Sequence, residues 1–490
     1  MTGAQIDTLR PEVRDTSLTE SRAATLPSEP CLRAYSDRVT SRILWIAVLA
    51  SFVAFLDGTI VNVALPAIDR ELGGGLVTQQ WVVDGYFITL GAIMLVAGSI
   101  SDAYGRSRVM VIGLIGFGIA SVIITLAPDP LILIIARMLQ GAAGAFLVPS
   151  SLALISAHFS GAARAKAIGT WTALTTGAMI VGPLIGGVLV DFASWRFAFL
   201  INVIPIAITL WLLRKVPDPP HRPDARIDIL GAILSILGLG GLVFGLIEQP
   251  RLGWGNPLIP ITLLGGAALF LLFLLRQRRV SDPILPLDLF RARNFWVGNI
   301  TTTLMYGALS LNGFVVAIYL QEEAGLTATA AGLASLPTTI MMILFSSTSG
   351  RLAGRIGPRL FMALGPILMG VGSLMLLLVR EDFNYWWQVL PAMIVFGLGL
   401  AATVSPLTST VLGAIPEERS GIASAVNNAI SRVAGLITIA IVGVIVGGAI
   451  DLTGFHRAAV FVAILLIIGG LVSLAGIRNP AVPAEDEART

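Results

Sequence analysis

Leu56-Asp57-Gly58-Thr59-Ile60-Val61-Asn62-Val63-Ala64-Leu65-Pro66 places a carboxylate inside an otherwise apolar run that extends from Ile43 to Pro66. A run of that length crosses a membrane, where one charge costs roughly 2.5–3.5 kcal/mol on insertion scales. A residue kept at that cost marks a functional site by default. Asp57 therefore raises two questions: what it binds, and whether the rest of the chain builds a path to it.

The composition makes the membrane reading general. Of 490 residues, 55% are hydrophobic and 12% charged, and the mean hydropathy of +0.86 lies outside the range of soluble domains. Segments of about 20 apolar residues, the length that spans ~30 Å of hydrocarbon, fall at 43–66, 79–99, 109–127, 131–154, 166–190, 197–213, 229–248, 258–275, 296–320, 329–349, 360–379, 386–411, 422–449 and 457–476. They are continuously apolar rather than alternating, so helices are expected and not a barrel.

Alternating the loops between two sides gathers most of the basic residues on one of them. That side takes the tail arginines, then Arg106, Arg108, Arg164, Lys166, Arg214, Lys215, Arg276, Arg278, Arg279, Arg291, Arg293, Arg351, Arg355, Arg359, Arg419 and Arg478. The other takes Arg70, Arg196, Arg251, Arg380 and Arg457. The positive-inside rule then puts both termini in the cytoplasm. The arginine-rich usage suggests a GC-rich bacterial genome, and so a multi-pass protein of the bacterial inner membrane.

Basic residues that mark topology leave no patch for nucleic acid; the net charge is only +3. Cys31 is the single cysteine, in a polar tail, and His158, His221 and His456 are far apart, so neither a disulfide nor a metal site is expected. Residues 1–42 read as a disordered cytoplasmic tail without a secretory signal, and 479–490 as a second tail. The proline-rich stretch at 214–228 ends the first six spans. The expected divisions are a six-helix half over 43–213, a linker with two extra helices over 214–295, and a second half over 296–478.

The halves share a mark. Gly98-Ser99-Ile100-Ser101-Asp102-Ala103-Tyr104-Gly105-Arg106 follows the second span, and Gly350-Arg351-Leu352-Ala353-Gly354-Arg355-Ile356-Gly357-Pro358-Arg359 follows the tenth, with glycines at matching places. Duplicated halves around a midplane site are a transporter architecture. Further runs are Arg137-Met138-Leu139-Gln140-Gly141 in the fourth span and Gly182-Pro183-Leu184-Ile185-Gly186-Gly187 in the fifth, the latter followed by Ser194-Trp195-Arg196 and Ile201-Asn202.

Together these runs resemble the major facilitator superfamily, and within it the fourteen-helix drug:proton antiporter family, over essentially residues 43–478. Gly98, Asp102, Gly105 and Arg106 match the superfamily's loop signature, with departures at Ala103 and Ser107. The resemblance implies that this loop latches the halves on the cytoplasmic side; simple positive-inside anchoring is the alternative. It also implies that Gly182, Pro183, Gly186 and Gly187 form a packed antiporter hinge.

Helix rise gives depths. Asp57 lies ~14 Å from the outer end of its span, and Arg137 and Asp84 ~8–9 Å from theirs, so pairing is plausible. Asp57, Arg137 and Asp84 are the proton-coupling candidates. A permanently paired carboxylate that fixes helix packing is the alternative for Asp57. For Asp84 the alternatives are a recognition charge for cationic substrates or an outer-vestibule residue facing water. Asn62, Gln140, Tyr306, Asn312 and Asn427 are candidates to line a substrate cavity.

With no phosphate-binding loop, ATP is not expected to supply the energy and an ion gradient is; the resemblance implies a proton gradient, with no cofactor. No nucleophile–base set points to an enzyme. The expected function is proton-driven export of amphipathic, possibly cationic, small molecules by a monomer. The alternatives are a dedicated exporter of one metabolite, lipid or self-made antibiotic, and a sensor or scaffold that no longer transports.

Overall fold

The structure, a computed structural model, describes residues 29–214, 228–280, 283–416 and 419–479, apart from the side chains of residues 29–39 and of Leu95, Ser99, Asp102, Ala162 and Ala165. Among the described residues every regular element is helical, as a chain in hydrocarbon requires if it is to satisfy its own backbone. Thirteen helical stretches are long and apolar enough to cross a membrane. Gly75–Tyr104, a helix of 30 residues, stands where the second span was expected.

The fourteen helices in chain order begin with α1 (Glu29–Leu72), α2 (Gly75–Tyr104), α3 (Arg106–Thr125) and α4 (Pro130–His158). Next come α5 (Gly161–Phe192), α6 (Trp195–Leu213), α7 (Ile229–Leu252) and α8 (Leu258–Gln277). The last six are α9 (Arg293–Glu322), α10 (Ala328–Ile356), α11 (Pro358–Leu378), α12 (Tyr385–Gly413), α13 (Ser420–Ala440) and α14 (Leu452–Gly476).

Several boundaries differ from the sequence reading. The first helix begins at Glu29, inside the segment expected to be a disordered tail; residues 1–28 and 480–490 lie outside the described residues. Helix α4 is interrupted at Ala145 and Phe146. Helix α13 stops at Ala440 instead of reaching 449. A short turn of helix, Val442–Val446, follows it, and then Gly447 and Gly448 take positive φ.

Helices α1–α6 pack as one half and α9–α14 as the other. The halves meet through the second helix of one against the fifth of the other, α2 on α13 and α10 on α5, with α1 beside α9. That reciprocity is what two copies of one six-helix unit produce when related by a pseudo-two-fold axis. The repeated glycines agree: Gly105 and Gly357 both sit between the second and third helices of their half, at φ 97° and 96°. Each turns the chain in a conformation that a Cβ disfavours. The inserted pair α7–α8 is a hairpin whose first helix lies against α2 and α13 together.

The halves join most closely at their arginine-poor ends. There Gln79 Nε2 donates to Glu322 (2.8 Å), and Gln80 Nε2 donates to the carbonyls of Ile439 and Ala440 (2.8 and 3.0 Å). Asp191 accepts from the amides of Ala328 and Thr329 at the start of α10 (3.0 and 2.8 Å). Toward the arginine-rich ends the facing helices lose this contact. Leu174 of α5 and Leu344 and Phe345 of α10 are exposed, and a side chain added at Gly169 or Gly177 would touch nothing. The molecule is closed at one end and splayed at the other.

Candidate functional site

Helix α1 carries Asp57 into the middle of the first half, where it is fully buried. An unpaired ion there would cost several kcal/mol, and the structure surrounds it with donors. Arg137 of α4 reaches Oδ2 at 2.6 Å as a buried ion pair. Gln140, one turn further along α4, donates to Oδ1 at 3.1 Å, and Asn202 of α6 donates to the same oxygen at 3.1 Å. The pairing expected from depth alone is therefore present.

The guanidinium is fixed as firmly as the carboxylate. Its Nε donates to the carbonyl of Val82 on α2 (2.9 Å), and Nη1 also donates to Gln140 Oε1 (2.6 Å). It lies over the ring of Tyr86 at 4.4 Å and near that of Phe199 at 5.5 Å, a cation–π setting suited to a desolvated arginine. Gln140 Nε2 extends the network to Ser121 Oγ on α3 (2.9 Å). One centre thus ties α1, α2, α3, α4 and α6.

Asp84 is different. It is also fully buried, on α2, and neither carboxylate oxygen has a hydrogen-bond partner among the described residues. With the arginine-poor end closed, Asp84 meets no water and bonds neither Asp57 nor Arg137. Helical spacing puts it one turn from Gln80, which bonds α13, and one turn from Phe87, whose ring lies 5.7 Å from the Arg432 guanidinium. It sits in the seam between the halves.

The glycine–proline run of α5 makes a three-way contact. A Cβ on Gly182 would collide with Thr59 of α1, one on Gly186 would lie 2.5 Å from Ile60 Cγ1, and one on Gly187 would lie 2.5 Å from Thr329 Cα of α10. The carbonyl of Pro183 in turn sits where a side chain on Gly332 would go. Small residues here let three backbones approach. Helix α5 stays continuous through Pro183.

The run expected as a loop is mostly the end of α2: Gly98 is an exposed helical position, Gly105 caps the helix and makes the turn, and the side chain of Asp102 lies outside the described residues. Arg106 Nη1 donates to the carbonyl of Ala153 on α4, a contact inside the first half (3.0 Å).

The five proposed cavity residues have different surroundings. Gln140 belongs to the Asp57 network. Asn427 holds α13 to α9 through Asn299 Oδ1 (3.0 Å) and Thr302 Oγ1 (2.9 Å). Asn62 and Tyr306 are half-buried and Asn312 is buried. The sequence reading missed Ser121 as a member of the site. Asn202 was visible only as part of a longer run, with nothing to show that it points at Asp57.

The family profile described as Major Facilitator Superfamily matches residues 47–439. The chain is 32% identical over 442 residues to the methylenomycin A resistance protein of Bacillus subtilis, covering 89% of this chain and 92% of that one. It is 35% identical over 400 residues to the multidrug resistance protein Stp of Mycobacterium tuberculosis (81% and 74%). It is 32% identical over 411 residues to the tetracenomycin C resistance and export protein of Streptomyces glaucescens (82% and 75%). Among solved structures, a bacterial homolog of the human lysosomal transporter Spinster, inward-facing and unoccupied, matches with a TM-score of 0.64 at 15% identity, over 89% of this chain and 96% of that one. A peptide transporter of the POT family with sulfate matches at 0.66 and 14% identity (90% and 97%), a likeness of fold. The chain belongs to the major facilitator superfamily, as a multi-pass membrane transporter and not an enzyme.

Proposed function

We propose that the protein is a proton-driven exporter of amphipathic small molecules, in a bacterial inner membrane with both termini cytoplasmic, and that Asp57 carries the proton. The observation that supports this most is the buried Asp57–Arg137 centre, an ion pair with its remaining valences met by Gln140, Asn202 and Val82. With Asp57 ionised the pair is neutral overall. A proton taken up from outside neutralises the carboxylate and leaves Arg137 cationic, still held by Val82 and lying over Tyr86. The centre then carries one positive charge, which opposes a cationic substrate, so proton and substrate are exclusive occupants. Energy comes from the gradient without a cofactor, and a monomer suffices.

The test is dye and drug accumulation in an efflux-deficient host, with and without a protonophore. Asp57→Asn should abolish gradient-dependent efflux while folded protein remains in the membrane. Normal uphill efflux by that variant would sink the assignment. A second reading, a dedicated exporter of one compound, is favoured by relatives named for single antibiotics, methylenomycin A and tetracenomycin C. Export of one compound from a wide panel would select it.

A further inference from the structure

We infer that a groove between α3 and α6 is a binding site for one anionic phospholipid of the phosphatidylglycerol type. Two adjoining hollows make the groove. One, about 390 Å³, is walled by apolar side chains alone, with Gly118 and Val122 of α3 facing Ile206 of α6. The other, about 540 Å³, shares Ile115 and Leu210 with the first and opens at the arginine-rich end between Arg108 and Arg214.

Charge decides the occupant. Arg108 and Arg214 are exposed, and neither takes part in an ion pair among the described residues, whereas Arg137, Arg196, Arg251, Arg276 and Arg419 all do. Two guanidiniums at the mouth of an apolar groove match a phosphate joined to acyl chains, the chemistry that basic pockets between membrane helices select. Length agrees as well. Arg108 and Ile123 are ~22 Å apart along α3, close to half of a bilayer's ~40–45 Å including headgroups. A zwitterionic lipid has the chains without the net charge, and free phosphate has the charge without the chains.

Gly118 supplies room. A Cβ there would rest 3.7 Å from Ile206, ordinary contact, so a larger side chain would occupy the groove without straining the helices. The inference does not depend on the transported substrate. The orientation proposed above only assigns the site to the inner leaflet.

The full chain, purified in detergent, is examined by native mass spectrometry with equimolar phosphatidylglycerol and phosphatidylethanolamine. The wild type should retain phosphatidylglycerol preferentially. Arg108→Gln with Arg214→Gln should weaken that retention about thirty-fold, the equivalent of two surface charges. Gly118→Leu should reduce retention of both lipids, and Arg291→Gln should change neither. Equal retention of the two lipids by the wild type, or an unchanged preference in the double variant, would overturn the site. So would displacement of the lipid by millimolar inorganic phosphate, or the appearance of a dimer whose interface fills the groove. Monodisperse elution of each variant separates loss of the site from loss of the fold.

Discussion

Replacing Gly187 by alanine adds one carbon where there is no space for it. The new Cβ would fall 2.5 Å from Thr329 Cα, 2.6 Å from the Ala328 carbonyl and 2.7 Å from the Thr329 nitrogen. All three are backbone atoms, so no rotamer change relieves the clash. The first turn of α10 must retreat by about 1 Å to reach ordinary contact, and that turn is the one whose amides bond Asp191. Overpacking of this kind costs about 1–3 kcal/mol. Here the strain has an outlet, because opening the arginine-poor end separates α5 from α10. Gly187→Ala should therefore shift the equilibrium toward the state open at that end by about 5–150-fold. With Cys31→Ser as background, spin labels at Ala193 and Glu323 report the change as a longer distance population in reconstituted protein. Gly169→Ala is the control on the same helix, since its Cβ meets nothing within 4 Å. A distance distribution for Gly187→Ala identical to that of the control would refute the reasoning.

Arg137→Met strands a buried carboxylate and should lower unfolding stability by about 3–5 kcal/mol; adding Asp57→Asn should recover much of the loss, and a purely additive double variant would deny the pair. Asp84→Leu removes two unpartnered oxygens, so it should stabilise the fold by about 1–3 kcal/mol while reducing pH-dependent efflux; a lower melting temperature would show that Asp84 has a partner. At the linker end of α7, burial works against ionised Asp228, but the Gly231 amide, Arg276 and Gln277 outweigh it and hold its carboxyl below the usual range. A depressed folded-state value means the stabilisation is complete above the unfolded pKa of ~3.9 and is lost as pH falls through the folded one. Asp228→Asn should thus lower the melting temperature at pH 7, by the equivalent of about 1–3 kcal/mol, and the gap to wild type should narrow only below about pH 4.

The helices were legible because apolar length is read directly from the chain. So was the Asp57–Arg137 pair, since helix rise converts sequence position into depth before any contact is known. What rotation about a helix axis decides was not. Gln140 has the depth of a cavity residue and the orientation of a network residue, and Asn202 approaches Asp57 because α6 is turned toward α1. Asp84 is the same kind of case: its depth in α2 was fixed by sequence, but only the packing of α2 on α13 closes water out. Gly447 and Gly448, with positive φ, carried a local signal for the end of the short helix Val442–Val446, but nothing in the chain marked the stop of α13 at Ala440. No comparable signal announced a helix from Glu29.

The inserted hairpin has a mechanical consequence. Leu239, Val243 and Ile247 of α7 pack with Ile88 of α2 and with Leu436 and Ala440 of α13, so one helix leans on both moving bodies at once. Among the described residues only Trp81 fastens it by a side-chain hydrogen bond to one side, through Glu248; the contact with α13 at this level is apolar, with Pro250 against Gly443 beyond it. Greasy surfaces slide where hydrogen-bonded ones must break. If the halves rock as proposed, α7 would travel as a gasket clipped to the first and wiping across the second, keeping acyl chains out of the joint.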